Sequence, residues 1–187
     1  MVITTGCDIH VHCEYKDKNG KWRNCDDFFW NPDNKEYECV EIYSGRNYEL
    51  FGVLAGVRDN SLPQITERKG FPEDASEITK TFYKEWEGDA HSMSWLTLKE
   101  LLNYKKKQKK KYKKLAKINK PKLYPDYWNE MSEGVEDSEG YVFFKDDYHI
   151  LDYLINRLKV KLDQCYWYCN SFEEKAEDIR IVFWFDS

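Results

Sequence analysis

Half of the histidines in this chain fall within three residues. Cys7-Asp8-Ile9-His10-Val11-His12-Cys13-Glu14 alternates strictly, with Asp8, His10, His12 and Glu14 on one parity and Cys7, Ile9, Val11 and Cys13 on the other. In a β-strand successive side chains point to opposite faces, so one face would carry two imidazoles and two carboxylates and the other would be small and apolar. Asp8, His10, His12 and Glu14 are therefore candidate ligands for a divalent metal. Imidazole suits Zn, and mixed carboxylates extend the choice to Mn. A cation held there would polarise a phosphoryl or carbonyl oxygen and acidify its bound water. Asp89 and His91, in the polar cluster Gly88-Asp89-Ala90-His91-Ser92, are the candidate catalytic acid and base. The competing reading is a polar face on an antiparallel hairpin.

A second set of residues suits phosphate. Arg46, Arg58, Arg68 and Lys69 are candidate ligand-binding cations, because the planar guanidinium fork matches phosphate oxygens in pairs. Arg46 precedes a helical stretch, where amides and dipole favour an anion. Ordinary salt bridging with nearby acids is the alternative. The run Lys105–Lys114 holds eight lysines in ten residues. It could make salt-sensitive, sequence-blind contact with nucleic acid, or be a solvated helix face.

The elements that must position these groups follow from periodicity. Residues 2–15 read as a strand, and Asn19-Gly20 turns it into a hairpin with 21–25. Residues 26–44 are less regular, with a short strand at Tyr37–Tyr43. Leu50, Val53, Leu54 and Val57 make a helical stripe through 47–58, capped by Ser44 or Asn47 and ended by Arg58. Gly52 and Gly56 share one side of it and imply a close approach. A loop over 59–75 leads to a helix at 77–86, capped by Ser76, with Ile78, Phe82 and Trp86 as its apolar positions. Thr97-Leu98-Lys99-Glu100 is a capping box, opening a helix that carries the lysines and stops before Pro121. Residues 121–145 read as irregular, 147–163 as a helix with His149 off its apolar face, 165–177 as a turn, and 178–186 as a buried strand.

The sum is an α+β protein: one domain over 1–187, a mixed or antiparallel sheet pairing the N- and C-terminal strands, helices packed on it, and a Lys-rich helical protrusion at about 103–130. Seven Trp, fourteen Tyr and ten Phe argue for a folded chain, and a net charge of −5 gives no global pull toward nucleic acid. No apolar run approaches the length of a membrane span. The first residues lack the pattern of a secretory leader. The six cysteines are then expected as free thiols in a reducing cytoplasm.

Several segments together resemble a bacteriophage-encoded protein family. They are Gly6-Cys7-Asp8-Ile9-His10, Arg46-Asn47-Tyr48-Glu49-Leu50-Phe51 with Leu54-Ala55-Gly56-Val57-Arg58, and Gly70-Phe71-Pro72-Glu73-Asp74-Ala75-Ser76. Asp89 to Leu101 and the closing Ile179 to Asp186 match in the same order, while 105–117 departs from the pattern as an insertion. The resemblance implies expression in a bacterial cytoplasm and an accessory role in host takeover or counter-defence. It carries no enzymatic activity with it. Two functions are expected on this footing: a pocket for a nucleotide or other phosphate-bearing ligand, with hydrolysis or sequestration both open, or an inhibitor that binds a host defence protein such as a nuclease.

Overall fold

The computed structural model describes residues 6–59, 61–125, 130–145, 149–166 and 172–186, without the side chains of His149, Ile150, Phe172 and Glu173. The expected strand residues 2–5, Asp146, Cys169 and the side chain of His149 lie outside that description. The fold is α+β, and its main sheet is antiparallel. The chain divides into two compact units: residues 1–46, 68–98 and 157–187 form one, and 47–67 with 99–156 form the other.

In the first unit β1 (Asp8–Lys16) lies between β2 (Trp22–Asn24) and β9 (Ile179–Asp186), and β5 (His91–Thr97) closes the far edge. The chain ends are neighbours, as expected: Asp8 pairs with Asp186 and Tyr15 with Ile179. The hairpin from β1 to β2 turns through Asp17–Lys21, with Gly20 at φ 75° and the Asp17 carboxylate accepting from the amides of Asn19 and Lys21. Ile9, Val11 and Cys13 share a buried face with Ile181, Phe183 and Phe185. Burial of a row of this kind is the main driving force for the sheet.

The opposite face is covered by α2 (Glu77–Trp86), capped by Ser76 through its hydroxyl and the Thr79 amide. The helix is rolled relative to the expected stripe. Ile78 is exposed, while Thr79 is buried and Phe82, Tyr83 and Trp86 lie against sheet residues. The reason is the tryptophan opposite: Trp184 needs aromatic neighbours, and the positions three and four apart supply them. Residues 27–40 are more regular than expected. β3 (Asp27–Asn31) and β4 (Glu36–Val40) form a separate two-stranded ribbon. Lys161 and Arg157 from α4 (His149–Cys165) both reach Asp27. The short helix α5 (Phe172–Lys175) precedes β9.

In the second unit α1 (Tyr48–Ala55) is capped by Asn47, whose side chain accepts from the Leu50 amide. It stops three residues short of the expected end, because Gly56 enters the left-handed region at φ 65°. Arg58 is thus outside the helix, itself at φ 66°. Gly52 does serve a close approach: a Cβ there would stand 2.2 Å from the Asp59 carbonyl oxygen. α3 (Leu98–Leu115) carries the lysines, and the stretch expected to be irregular forms a three-stranded sheet of β6 (Lys122–Pro125), β7 (Met131–Glu136) and β8 (Val142–Phe144). Tyr112 of α3 packs with Val135 and Phe143, and its hydroxyl donates to Glu133. Within the run, Lys105 is paired with Asp152 and Lys111 with Asp137.

Candidate functional site

The even-numbered face of β1 is solvent-exposed only at Asp8, is partly or fully buried from His10 to Glu14, and is not a shared metal cage. Each of its four polar groups has its own counter-group. Asp8 accepts two hydrogen bonds from Arg46, at 2.7 and 2.6 Å. His10 Nδ1 lies 3.0 Å from Glu41, His12 Nδ1 lies 2.8 Å from Asp26, and Glu14 accepts from Arg180 Nε at 2.9 Å. Each group is paired with a different partner, so the four do not converge on one point.

The two histidines are held by the same device. Only residues 14–16 of β1 pair with β2, so the edge amides of Val11 and Cys13 need other acceptors. Glu41 takes the Val11 amide on one oxygen and His10 on the other, at 3.0 Å each. Asp26 takes the Cys13 amide and His12 in the same way, both at 2.8 Å. A carboxylate therefore closes an open sheet edge and fixes an imidazole at once, satisfying two buried donors. The rings are packed between aromatics: His10 is stacked on Trp184 and tilted against Trp86, and His12 is stacked on Phe82 and Trp184.

Burial alone would depress the His10 pKa, but the hydrogen bond and charge of Glu41, with the charge of Asp186, raise it above 6.5. The protonated form is then favoured by folding. Its stabilisation is complete below the unfolded value of about 6.5 and is lost as pH rises through the higher folded value. The Tm gap between the protein and His10→Gln should be widest in mildly acidic buffer and narrow above neutrality. Ring titration by NMR gives the same answer directly; a value below 6.5 would mean that burial wins.

His91 does not join this face. It stands opposite Phe185, in line with Ile9, on the other side of the sheet, with its Nε2 4.0 Å from Cys7 Sγ. The shared hollow expected between residues 8–14 and 89–91 is not formed, because a bulge between His91 and Ser94 shifts the register of β5. Asp89 is exposed, its amide bonded to the Trp86 carbonyl at the end of α2. Arg46 is engaged by Asp8, and Arg58 belongs to the second unit.

No family model, curated protein or solved structure matches this chain.

The geometry does gather part of the expected set at the β5 bulge. Ser92 sits at φ 51°, a conformation that side chains rarely adopt. Its hydroxyl is 2.7 Å from Arg68 Nη1 and 3.1 Å from His91 Nδ1. Lys69 donates its amide to Ser94 Oγ at 3.0 Å and sets its ammonium 3.8 Å over the Trp95 ring. Arg68 and Lys69 are exposed and Ser92 half-buried, on the edge strand of the sheet. Ser92 had no signal in sequence beyond its place in the polar cluster. A pocket of about 340 Å³ lies elsewhere, around Trp22, Lys21, Arg23, Asp74 and Glu77, and contains none of the expected residues.

The metal question also moves. His12, Asp26 and Cys39 offer ligand atoms within 4.8 Å of one another and could hold an ion. Only His12 of that group was expected. Among the remaining cysteines, Cys13 and Cys25 face each other with sulfurs 2.9 Å apart; burial raises the Cys13 thiol, and the Cys13 contact together with burial raises that of Cys25.

Proposed function

We propose that this is a phage accessory protein acting in the host cytoplasm, which captures a phosphate-bearing ligand such as a nucleotide at the β5 bulge. The observation that carries the reading is the Ser92 hydroxyl held between Arg68 and His91 on a strained edge residue. Arginine, serine and histidine donors converge there, and guanidinium forks bind phosphate oxygens in pairs. Strained backbone of this kind persists only where surrounding contacts enforce it. Sequestration is favoured over metal-assisted hydrolysis, since His10, Glu14 and His91 lie on opposite faces of the sheet and cannot serve one phosphorus atom.

A thermal-shift panel of nucleotides and inorganic phosphate tests this. A ligand at a hundred times its Kd stabilises the folded form by about 2.7 kcal/mol, a shift of several degrees. Arg68→Ala should abolish the shift and leave the ligand-free Tm nearly unchanged, because Arg68 is exposed. A panel without any shift, or a shift that survives in Arg68→Ala, would sink the reading.

A second reading rests on the β3–β4 ribbon. It exposes Phe29, Trp30, Tyr37 and Val40, with Tyr37 at 71%, amid Asp33, Glu36 and Glu38. Exposed aromatics are the usual anchors of protein interfaces, and the acids would suit a basic surface such as that of a host defence nuclease. On this reading, Trp30→Ala with Tyr37→Ala should abolish binding to such a nuclease in calorimetry, while Arg68→Ala retains it.

A further inference from the structure

We infer that His12, Asp26 and Cys39 form a zinc site that ties the β3–β4 ribbon to the main sheet. The three residues come from three elements: β1, the link between β2 and β3, and β4. The carboxylate is aimed before any ion arrives, since Asp26 Oδ1 is anchored by the Cys13 amide and Oδ2 is left facing the other two groups. Such support behind a ligand is what orients a metal site.

Oδ2 is also overcrowded. Three donors point at it: His12 Nδ1 and Asn24 Nδ2 at 2.8 Å each, and Cys39 Sγ at 3.6 Å. A carboxylate oxygen has about two lone-pair sites, so one donor is surplus. A single cation in place of the His12 and Cys39 protons removes the conflict.

All three ligand atoms lie within 4.8 Å of one another, and two of their separations can be set against what zinc needs. With Zn–O and Zn–N near 2.0 Å and Zn–S near 2.3 Å, tetrahedral angles give edges of about 3.5 Å for O to S and about 3.3 Å for N to O. The observed O to S separation of 3.6 Å meets the first. The observed N to O separation of 2.8 Å must open by about half an ångström, within reach of a side-chain adjustment. One nitrogen, one oxygen and one sulfur favour zinc over manganese, which prefers oxygen. Three protein ligands leave one corner for water.

Balance is simple. Zn²⁺ enters, the Cys39 thiol loses its proton to solvent, and the His12 proton moves from Nδ1 to Nε2, so one proton is released per ion. Binding should therefore weaken as pH falls.

Elemental analysis of the purified full chain should find zinc at one per chain, and chelator should lower the Tm until zinc is restored. Cobalt loaded into the chelated protein should give a thiolate-to-cobalt charge-transfer band. That band should vanish in Cys39→Ser, whose hydroxyl can still donate to Asp26, and in His12→Gln. It should survive in Cys25→Ser. Protein that takes up neither zinc nor cobalt while its circular dichroism is native would overturn the assignment. So would a band that persists in Cys39→Ser and is lost in Cys25→Ser, which would place the ion at the Cys13–Cys25 pair.

Discussion

Arg180→Leu should cost about 3–5 kcal/mol of folding stability, a large fraction of the roughly 5–15 kcal/mol typical of a native protein. Arg180 and Glu14 are both essentially removed from solvent, and they meet at 2.8 and 2.9 Å. The other Glu14 oxygen accepts the Ser76 amide at 2.7 Å, at the capping residue of α2. The guanidinium carbon also sits 3.9 Å from the centre of the Trp22 ring, and the group reaches Asp74 at 3.0 Å. Removing only the cation strands a carboxylate in the interior, which is the expensive way to break a buried pair. The combination Glu14→Gln with Arg180→Leu should recover a large part of the loss, since the amide carbonyl still accepts from Ser76 and no charge is left unpaired. Urea titrations of the two single variants and the pair decide it. An Arg180→Leu variant less than about 1 kcal/mol below the parent, the range of surface ion pairs, would mean that water reaches the pair.

Trp184→Ala is expected to be comparably severe, about 3–5 kcal/mol. Trp184 is the largest fully buried side chain among the described residues, and its ring stacks on His10 and His12 and meets Tyr83 edge-on. The cavity would lie beneath α2, whose Phe82 and Trp86 hold the same two imidazoles. Both histidines should then become mobile, visible as broadened or shifted ring signals in NMR. Trp184→Phe should be much milder than its lost volume suggests. The indole Nε1 is buried and finds no hydrogen-bond partner among the described residues, and phenylalanine removes that unsatisfied donor. If Phe costs as much as Ala, the indole nitrogen is bonded after all.

The elements that could be read from sequence are those whose signal is local. The alternation of residues 8–14, the Ser76 cap, the Thr97 box and the apolar run 179–186 each report on neighbours within a few positions. The missed elements had equally local signals in one case. Asp137 to Tyr141 closes β7 onto β8 with the same turn as Asp17 to Lys21: an Asp side chain accepting two amides and a glycine at positive φ. The bulge in β5 had none, because it is set by its partner strand, and so the side to which His91 points could not be known from spacing.

The sequence alone determined that residues 8–14 would present acids and imidazoles on one face, since a pleat admits no other arrangement of alternating residues. It also determined that the two chain ends would be apolar strands seeking burial. What faces those acids and imidazoles was decided by tertiary structure. Glu41, Asp26, Arg46 and Arg180 lie 14 to 166 positions from the groups they engage. With 34 acids and 29 bases in the chain, charge complementarity alone could not choose among them. For Glu41 and Asp26 the choice was made at the Val11 and Cys13 amides, which β2 does not pair, where an amide and an imidazole stand side by side and one carboxylate accepts from both.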